Sequence, residues 1–372
     1  MKAILFANTE WYLYNFRLPL AEALRRQGYE VVLLSPPGPY GERLRQAGFR
    51  WEPFPLSRRG VNPLAEGLTV WRLARLYRRE KPDVVHHFTI KCVLYGSLAA
   101  RLAGSRRVLN AITGMGYVFV DNRLEARLIR LVVKASYGLI LRGTQVIFQN
   151  RDDEALFRQQ GWLKAAQAHL VPGSGVDIHR FHPTPEPPGP PVILLPGRFL
   201  WDKGLGEFAE AARRLAQEGL KARFVLVGRS DYANPAAVPE AQLQAWQEAG
   251  LVESWGWQED MAAVFPRAHI VCLPSYREGL PRALIEAAAC GRPLVAADVP
   301  GCRDVVRHGE NGLLVAPRSA QALADALRSL IDAPDLRRRM GARGRQMVEE
   351  EFSVERIVSE TLRLYPQAGS GI

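Results

Sequence analysis

Six of the nine residues in the run PTPEPPGPP, 183–191, are proline. Proline lacks a backbone N–H and fixes φ near −65°, so such a run enters neither a helix interior nor a central strand. A chain of 372 residues is long for one hydrophobic core and comfortable for two of roughly 180 residues each. The run therefore reads as a stiff linker between two domains, 1–182 and 192–352. The amphipathic pattern from 353 onward reads as a C-terminal helix crossing back to the first domain.

On both sides of the run, short aliphatic segments alternate with helical patterns. Segments 3–7, 30–35, 83–87, 107–111 and 145–149 are short, aliphatic or β-branched and mostly bounded by polar residues, Gly or Pro, which predicts strands. Helical patterns fall at 19–27, 63–80, 94–102 and 123–141. The second half repeats the scheme, with strands at 192–196, 224–228, 270–274, 294–297 and 313–315 and helices at 206–217, 239–249, 281–289 and 320–331. This alternation implies right-handed βαβ units and parallel sheets. The expected fold class is α/β, two Rossmann-like doubly wound domains facing across a cleft, with ligands at the carboxyl ends of the strands.

Composition narrows the setting. The apolar run at 3–7 meets Asn8, Thr9 and Glu10 at once, too short for a secretory signal, and no stretch approaches the roughly 18 apolar residues of a transmembrane helix. Cys92, Cys272, Cys290 and Cys302 are scattered without CxxC spacing, as expected of free thiols in a reducing cytoplasm. The net charge of +11 is one-sided: residues 1–180 carry 27 Lys and Arg against 14 Asp and Glu, and the remainder 22 against 24. A basic first half calls for an anionic partner, either a lipid surface or a diphosphate-bearing acceptor. Nucleic acid is excluded by the lack of any recognised module or aromatic-interleaved basic stripe.

Two segments carry the chemistry. Glu278-Gly279-Leu280-Pro281 opens the helix predicted to follow the strand at 270–274. Pro281 suits the first helical position, Gly279 lets the backbone approach a ligand, and the free N–H groups of the first turn form an anion site. Glu278 stands just before the helix and Glu286 two turns inside it, placing one carboxylate for a sugar and the other for a ribose. The second segment, Pro196 to Gly204, follows the strand at 192–196 and holds Arg198 and Lys203. A planar fork and a point charge together suit a diphosphate and would stabilise a departing nucleoside diphosphate without metal. The chain has no Asp-x-Asp motif.

The Gly-Arg-x4-Lys-Gly turn at 197–204, the Glu278 and Glu286 pair, the Glu-Asn-Gly-Leu-Leu-Val run at 310–315 and the Gly-Val-Asp ending at Asp177 together resemble the retaining two-domain glycosyltransferases of the GT-B fold, often called family 4. The resemblance spans essentially the whole chain. It implies that Arg198 and Lys203 hold the donor diphosphate, Glu278 contacts the donor sugar and Glu286 bonds the ribose. It places Gly279, Leu280 and Pro281 along the sugar and phosphate, and the base near Gly228 and Trp257. Arg198, Lys203 and Glu278 are then the catalytic set, with a UDP-sugar as donor and neither cofactor nor metal. Retention would proceed by front-face attack, the leaving phosphate taking the acceptor proton.

The first half resembles a subset. Asn15-Phe16-Arg17-Leu18-Pro19-Leu20, Ser57-Arg58 with Asn62-Pro63, Phe88-Thr89-Ile90-Lys91 and the Thr113-Gly114 segment running to Phe119 are similar to enzymes of capsular, O-antigen and N-linked glycan assembly. Those add hexosamine-type sugars to glycans on undecaprenyl diphosphate. The resemblance thus implies a nucleotide-sugar donor and a lipid-linked acceptor, with Asn15, His86, His87 and Thr113 as candidate acceptor or sugar contacts. Departures exist. The first loop reads Asn8-Thr9-Glu10-Trp11-Tyr12 in place of a Gly-Gly pair, and Ile112-Thr113-Gly114 has no histidine where many members place one. A nucleotide-sugar epimerase of the same fold, a soluble acceptor and a GDP-sugar donor are the alternatives. Basic and apolar residues alternate over 123–142, with Arg123, Arg127, Arg130, Lys134 and Arg142 among leucines and valines. A helix of this kind suits the anionic inner leaflet, so a cytoplasmic protein held peripherally on the membrane is expected.

Overall fold

The computed structural model describes residues 1–57, 62–114, 137–232 and 234–366. The chain divides into two compact units, one of Met1–Gly175 with Val354–Ile372 and one of Val176–Ser353.

Unit 1 contains, in chain order, β1 (Lys2–Phe6), α1 (Leu18–Arg26), β2 (Glu30–Ser35), α2 (Tyr40–Gln46), β3 (Arg50–Pro53), α3 (Pro63–Glu80), β4 (Val84–Phe88), α4 (Ile90–Ala103), β5 (Val108–Ile112), β6 (Gln145–Phe148), α5 (Arg151–Gln159) and β7 (Ala168–Leu170). The strands form one sheet in the order β3-β2-β1-β4-β5-β6-β7, and each pairing is parallel. Alternate residues of β1 and β2 serve two cores. Ala3, Leu5, Val31 and Leu33 pack on one face, and Ile4, Phe6, Val32 and Leu34 on the other against α3. A parallel sheet covered on both faces needs this unbroken aliphatic run.

Unit 2 contains β8 (Val192–Arg198), α6 (Leu205–Gln217), β9 (Arg223–Arg229), α7 (Glu240–Glu248), β10 (Glu253–Ser254), β11 (Ile270–Leu273), α8 (Arg282–Ala289), β12 (Leu294–Ala297), β13 (Gly312–Val315), α9 (Ala320–Ile331) and α10 (Pro334–Met347). Its sheet runs β10-β9-β8-β11-β12-β13. The last helix, α11 (Val354–Leu362), belongs to unit 1. It packs on the α1 side of that unit through Ile357. Beyond it the Tyr365 hydroxyl lies 2.7 Å from His86 Nδ1, and the Tyr29 hydroxyl donates to the Pro366 carbonyl.

The expected linker at 183–191 is part of unit 2, and the division between units falls earlier, between Gly175 and Val176. The reason lies in three arginines. Arg292 Nη2 donates to Thr184 Oγ1 at 2.6 Å and to the Pro185 carbonyl at 3.1 Å. Arg337 grips Glu186 with Nε at 2.8 Å and Nη2 at 2.9 Å, and Arg345 Nη1 donates to the carbonyls of Ile178 and Phe181. Proline removes donors and leaves acceptors, so a Pro-rich segment is readily fastened by guanidinium groups. The helix expected to start at Pro281 starts at Arg282, with Pro281 as its extended N-cap. Most of the helix expected at 123–141 lies outside the described residues. All four cysteines are free and buried, and no helix of the described residues is long and apolar enough to cross a membrane.

Candidate active site

In unit 2 the chain leaves β8 for one side of the sheet and β11 leads to the other. The crevice beyond the carboxyl ends of β8 and β11 is therefore the switch point where open α/β sheets take ligands. Two loops meet there. The first leaves β8 through Arg198 and tightens into a 3-10 turn, Trp201–Lys203, closed by Gly204 at φ 75°. A side chain at Gly204 would lie 2.3 Å from the Pro274 carbonyl oxygen, so glycine is what lets the first loop rest against the second. The second loop, 274–281, follows β11. Its Tyr276 N–H donates to the Asp202 carbonyl at 2.8 Å, locking the loops together.

This contact brings Lys203 to Glu278. Their Nζ and Oε1 atoms are 2.5 Å apart, and both side chains are largely buried. Behind Glu278, Gly301 lets a third loop approach: a β-carbon there would stand 2.5 Å from the Gly279 oxygen and 2.9 Å from the Glu278 oxygen. Asp202 shares the neighbourhood. Burial pushes its carboxyl group up, Lys203 and Arg198 pull it down and Glu278 pushes it up again. Its Oδ1 is buried without a hydrogen-bond partner. Arg198 is half exposed and pairs with Asp231 at 3.1 Å.

Glu286 is held by Arg282 one turn earlier, Nε to Oε1 at 2.8 Å. Burial pushes its carboxyl group up, with Arg282 opposing. Gly228 meets both its neighbours closely. Its N–H donates to the Gly256 carbonyl at 2.9 Å, and a side chain there would collide with the Gly197 oxygen. Trp257 is exposed, with the Arg229 guanidinium 4.7 Å from its ring. Leu280 packs on the core beneath the loop, and Pro281 is buried. The described structure thus gathers Lys203, Glu278, Gly279 and Arg198 in one neighbourhood and sets Gly228 beside Gly256 and Trp257, while Glu286 forms a separate pair with Arg282.

Sequence reasoning missed the support beneath these loops. The Tyr276 hydroxyl donates to Glu207 Oε1 at 2.7 Å, the Arg318 guanidinium lies 3.9 Å from its ring, and burial with the Glu207 bond pushes the phenol up to about 12. A tyrosine two residues before Glu278 and a carboxylate four residues after Lys203 were the available signal.

In unit 1 the adjacent histidines of β4 point to opposite faces, as successive strand residues must. His87 is a core residue and not a strand-end contact. It is fully buried, with Nε2 3.1 Å from the Tyr77 hydroxyl and Nδ1 2.8 Å from Asn110 Oδ1. Burial holds its imidazole down at about 4. Its ring also fills the space that a side chain at Gly96 would need. His86 is buried on the other face, where Nδ1 meets Tyr365 and Nε2 has no partner. Asn15 is half-buried in the π-helical turn Leu13–Arg17, its Nδ2 donating to the Trp11 carbonyl at 2.9 Å. Thr113 is half-buried just after β5.

Known proteins carry the same architecture. Residues 178–347 match the model for glycosyl transferases group 1, and residues 2–150 match the model for glycosyl transferase 4-like domains. The chain is 29% identical, over 87% of its length and 88% of the relative's, to the N,N'-diacetylbacillosaminyl-diphospho-undecaprenol alpha-1,3-N-acetylgalactosaminyltransferase of Campylobacter jejuni. It is 23% identical, over 82% and 81%, to the UDP-Gal:alpha-D-GlcNAc-diphosphoundecaprenol alpha-1,3-galactosyltransferase of Escherichia coli. Among solved structures, a glycosyltransferase of Rickettsia africae superposes with TM-score 0.79 at 19% identity, covering 98% of this chain and 97% of the other. An Anabaena protein solved in complex with UDP gives 0.78 at 20%, covering 98% and 99%. The fold is GT-B, and the molecule is a glycosyltransferase rather than an epimerase of the same fold. The chain belongs to the family 4-like, group 1 glycosyltransferases.

Proposed function

We propose that this protein moves an N-acetylhexosamine or hexose from a UDP-sugar to a glycan carried on a lipid diphosphate, retaining the anomeric configuration and using no metal or cofactor. The observation that carries this reading is the Lys203–Glu278 pair at the switch point of unit 2, beside Arg198. A mostly buried cation and anion held together on two strand-following loops suit a ligand that brings both a diphosphate and a sugar. The names of the Campylobacter and Escherichia relatives, each stating an undecaprenol-linked diphosphate acceptor, support the acceptor class.

In this reading Lys203 and Arg198 take up the charge that develops on the leaving diphosphate, and such preorganised donors are worth most where water is excluded. Glu278 accepts from a donor-sugar hydroxyl and Glu286 from the ribose. The anomeric carbon–phosphate oxygen bond breaks as the acceptor oxygen bonds the same carbon on the same face. The acceptor proton passes to the departing phosphate oxygen, so charge and atoms balance without an enzyme base. A UDP-sugar panel with a short-chain prenyl diphosphate glycan tests this. The expected product is heavier by one sugar, has the α linkage by NMR and forms equally in EDTA. A β linkage or a requirement for divalent metal would overturn retention or metal independence.

The site of action is the inner face of the membrane, held peripherally. Support comes from the outer face of α3, where Leu64 (86% exposed), Leu68 and Trp71 (52% exposed) share a stripe with Arg72 and Arg75. Opposite them Val70, Leu73, Ala74 and Tyr77 are buried. Across the neighbouring α4, Leu98 and Leu102 are exposed, and Arg78 Nη2 donates to the Leu102 carbonyl. Apolar side chains beside arginines suit an anionic bilayer. Vesicles with phosphatidylglycerol should float the protein and phosphatidylcholine vesicles should not. Binding unchanged in L64E/W71E would remove this face from the reading.

A further inference from the structure

Unit 1 has a switch point of its own. β1 leads to β2 on one side of the sheet and β4 leads to β5 on the other, so the crevice beyond the carboxyl ends of β1 and β4 is where this sheet takes a ligand. Arg17 lies there. It ends the turn Leu13–Arg17 that follows β1, is only 5% exposed, and its guanidinium carbon is 4.5 Å from the ring centre of Phe88, the last residue of β4. Its Nε and Nη2 both donate to one acceptor, the Tyr12 hydroxyl, at 3.1 and 2.7 Å. The His86 ring centre lies 4.1 Å from that of Phe88, the rings tilted by 34°, and Tyr365 bonds His86. All these neighbours are uncharged, and Arg17 forms no ion pair with a carboxylate among the described residues.

A guanidinium keeps its proton in proteins, and a buried charge without a counter-charge is costly. The contact with Phe88 and the bonds to Tyr12 offset only part of that cost. The histidine beside it stays neutral, because burial first and Arg17 second hold the His86 imidazole well below its ordinary range. Its Nε2 is buried without a partner. Thr89, the next residue after Phe88, has φ 73°, an outlier for a β-branched residue and of the kind that folds retain at binding sites. A planar fork of donors matches phosphate oxygens.

We propose that Arg17 reads the diphosphate of the acceptor, at a second anion site lying wholly within unit 1. The proposal rests on the lipid-diphosphate acceptor reading above and adds the residue that recognises it. Phosphate oxygens could come from acceptor or donor, and the test separates them. Calorimetry of geranyl diphosphate and geraniol is run with UDP saturating, so that unit 2 is filled. The wild-type protein binds the diphosphate at least about tenfold more tightly than the alcohol, as expected for a charge-assisted hydrogen bond. R17M loses that margin, and R17K, which keeps the charge without the fork, retains part of it. A margin unchanged in R17M, or absent from the wild type, overturns the site. In steady-state transfer, R17K raises the acceptor KM roughly tenfold or more and leaves the UDP-sugar KM within about twofold. A shift confined to the donor KM overturns the acceptor assignment. The UDP-induced rise in melting temperature, unchanged in both variants, confirms that they fold. Should the wild type glycosylate no lipid diphosphate, the acceptor reading fails while the geranyl diphosphate margin still decides for or against Arg17.

Discussion

Replacing Gly301 by alanine tests whether the placement of Glu278 governs turnover. Gly301 has φ 80° and caps the short helix Cys302–Val305. A β-carbon built there lies 2.5 Å from the Gly279 oxygen, whereas ordinary contact begins at 3.4 Å. The loop must retreat by about 0.9 Å, and the atoms that yield are the backbone of Gly279 and Glu278 themselves. The positive φ with ψ −42° is a sparsely populated backbone conformation that adds a cost on the order of 1–3 kcal/mol for a residue with a β-carbon. A displacement of about 1 Å at a reacting group costs on the order of 100-fold in rate. G301A is therefore expected to remain folded, to lose about 1–3 kcal/mol of stability in urea unfolding, and to lose about 100-fold in kcat with a much smaller change in nucleotide affinity. Glycosyl transfer by liquid chromatography and UDP binding by calorimetry read the two quantities. A variant whose kcat stays within threefold of wild type would show that the Glu278 loop needs no such placement, and the assignment of Glu278 to the donor sugar would fall.

Other expectations follow from single contacts. K203A removes the cation beside Glu278 and is expected to lower kcat by about 100- to 1000-fold; near-normal turnover removes Lys203 from the transition state. E286Q keeps the shape and removes the charge gripped by Arg282; UDP-sugar KM should rise severalfold with kcat little changed, and unchanged KM separates Glu286 from the ribose. Y276F deletes the hydroxyl bonded to Glu207; kcat should fall severalfold while the melting temperature moves by a few degrees at most. Glu80 is held down at about 2, chiefly by its hydrogen bond to Arg50, with Lys2 and Arg79 adding to it. Its folded value lies below its unfolded one, so its stabilisation is full above pH ~4.5 and fades as the pH falls toward 2. Screening of its exposed arginine partners limits this to about 1–2 kcal/mol. Urea unfolding of E80Q should accordingly show a deficit at pH 7 that shrinks at pH 3.

The central strands were legible because parallel strands covered on both faces must be aliphatic throughout. β1, β2, β8 and β12 all declare themselves this way. The strands that escaped are β3, β7 and β10, which lie at sheet edges. Arg50–Pro53 alternates charge with bulk and Glu253–Ser254 has no aliphatic residue, because an edge strand has less to bury. Helices α2, α5 and α10 escaped for a related reason: their surfaces are dominated by arginine and acidic residues, and few residues carry the apolar stripe. The proline run misled in a different way. Its composition fixes the local conformation, but whether an extended segment floats or is fastened depends on residues far away in sequence, here Arg292 and Arg337.

The site divides along the same line. Arg198, Lys203, Glu278 and Glu286 could be named from spacing, because loops after parallel strands place their residues by short-range geometry. What spacing does not carry is the partner each charge finds. Lys203 and Glu278 neutralise one another, Glu286 is already taken by Arg282, and Arg198 by Asp231. Every candidate donor-reading charge is thus matched by a neighbour, so a nucleotide sugar must exchange ion pairs there. Arg17, on the acceptor side, differs: it is buried among Tyr12, Phe88, His86 and Tyr365 and forms no ion pair with a carboxylate among the described residues. A site of matched charges trades one pair for another and keeps a modest affinity for anions in general. A buried charge without a counter-charge gains its first counter-ion on binding, so the stronger dependence of affinity on ligand charge belongs at Arg17.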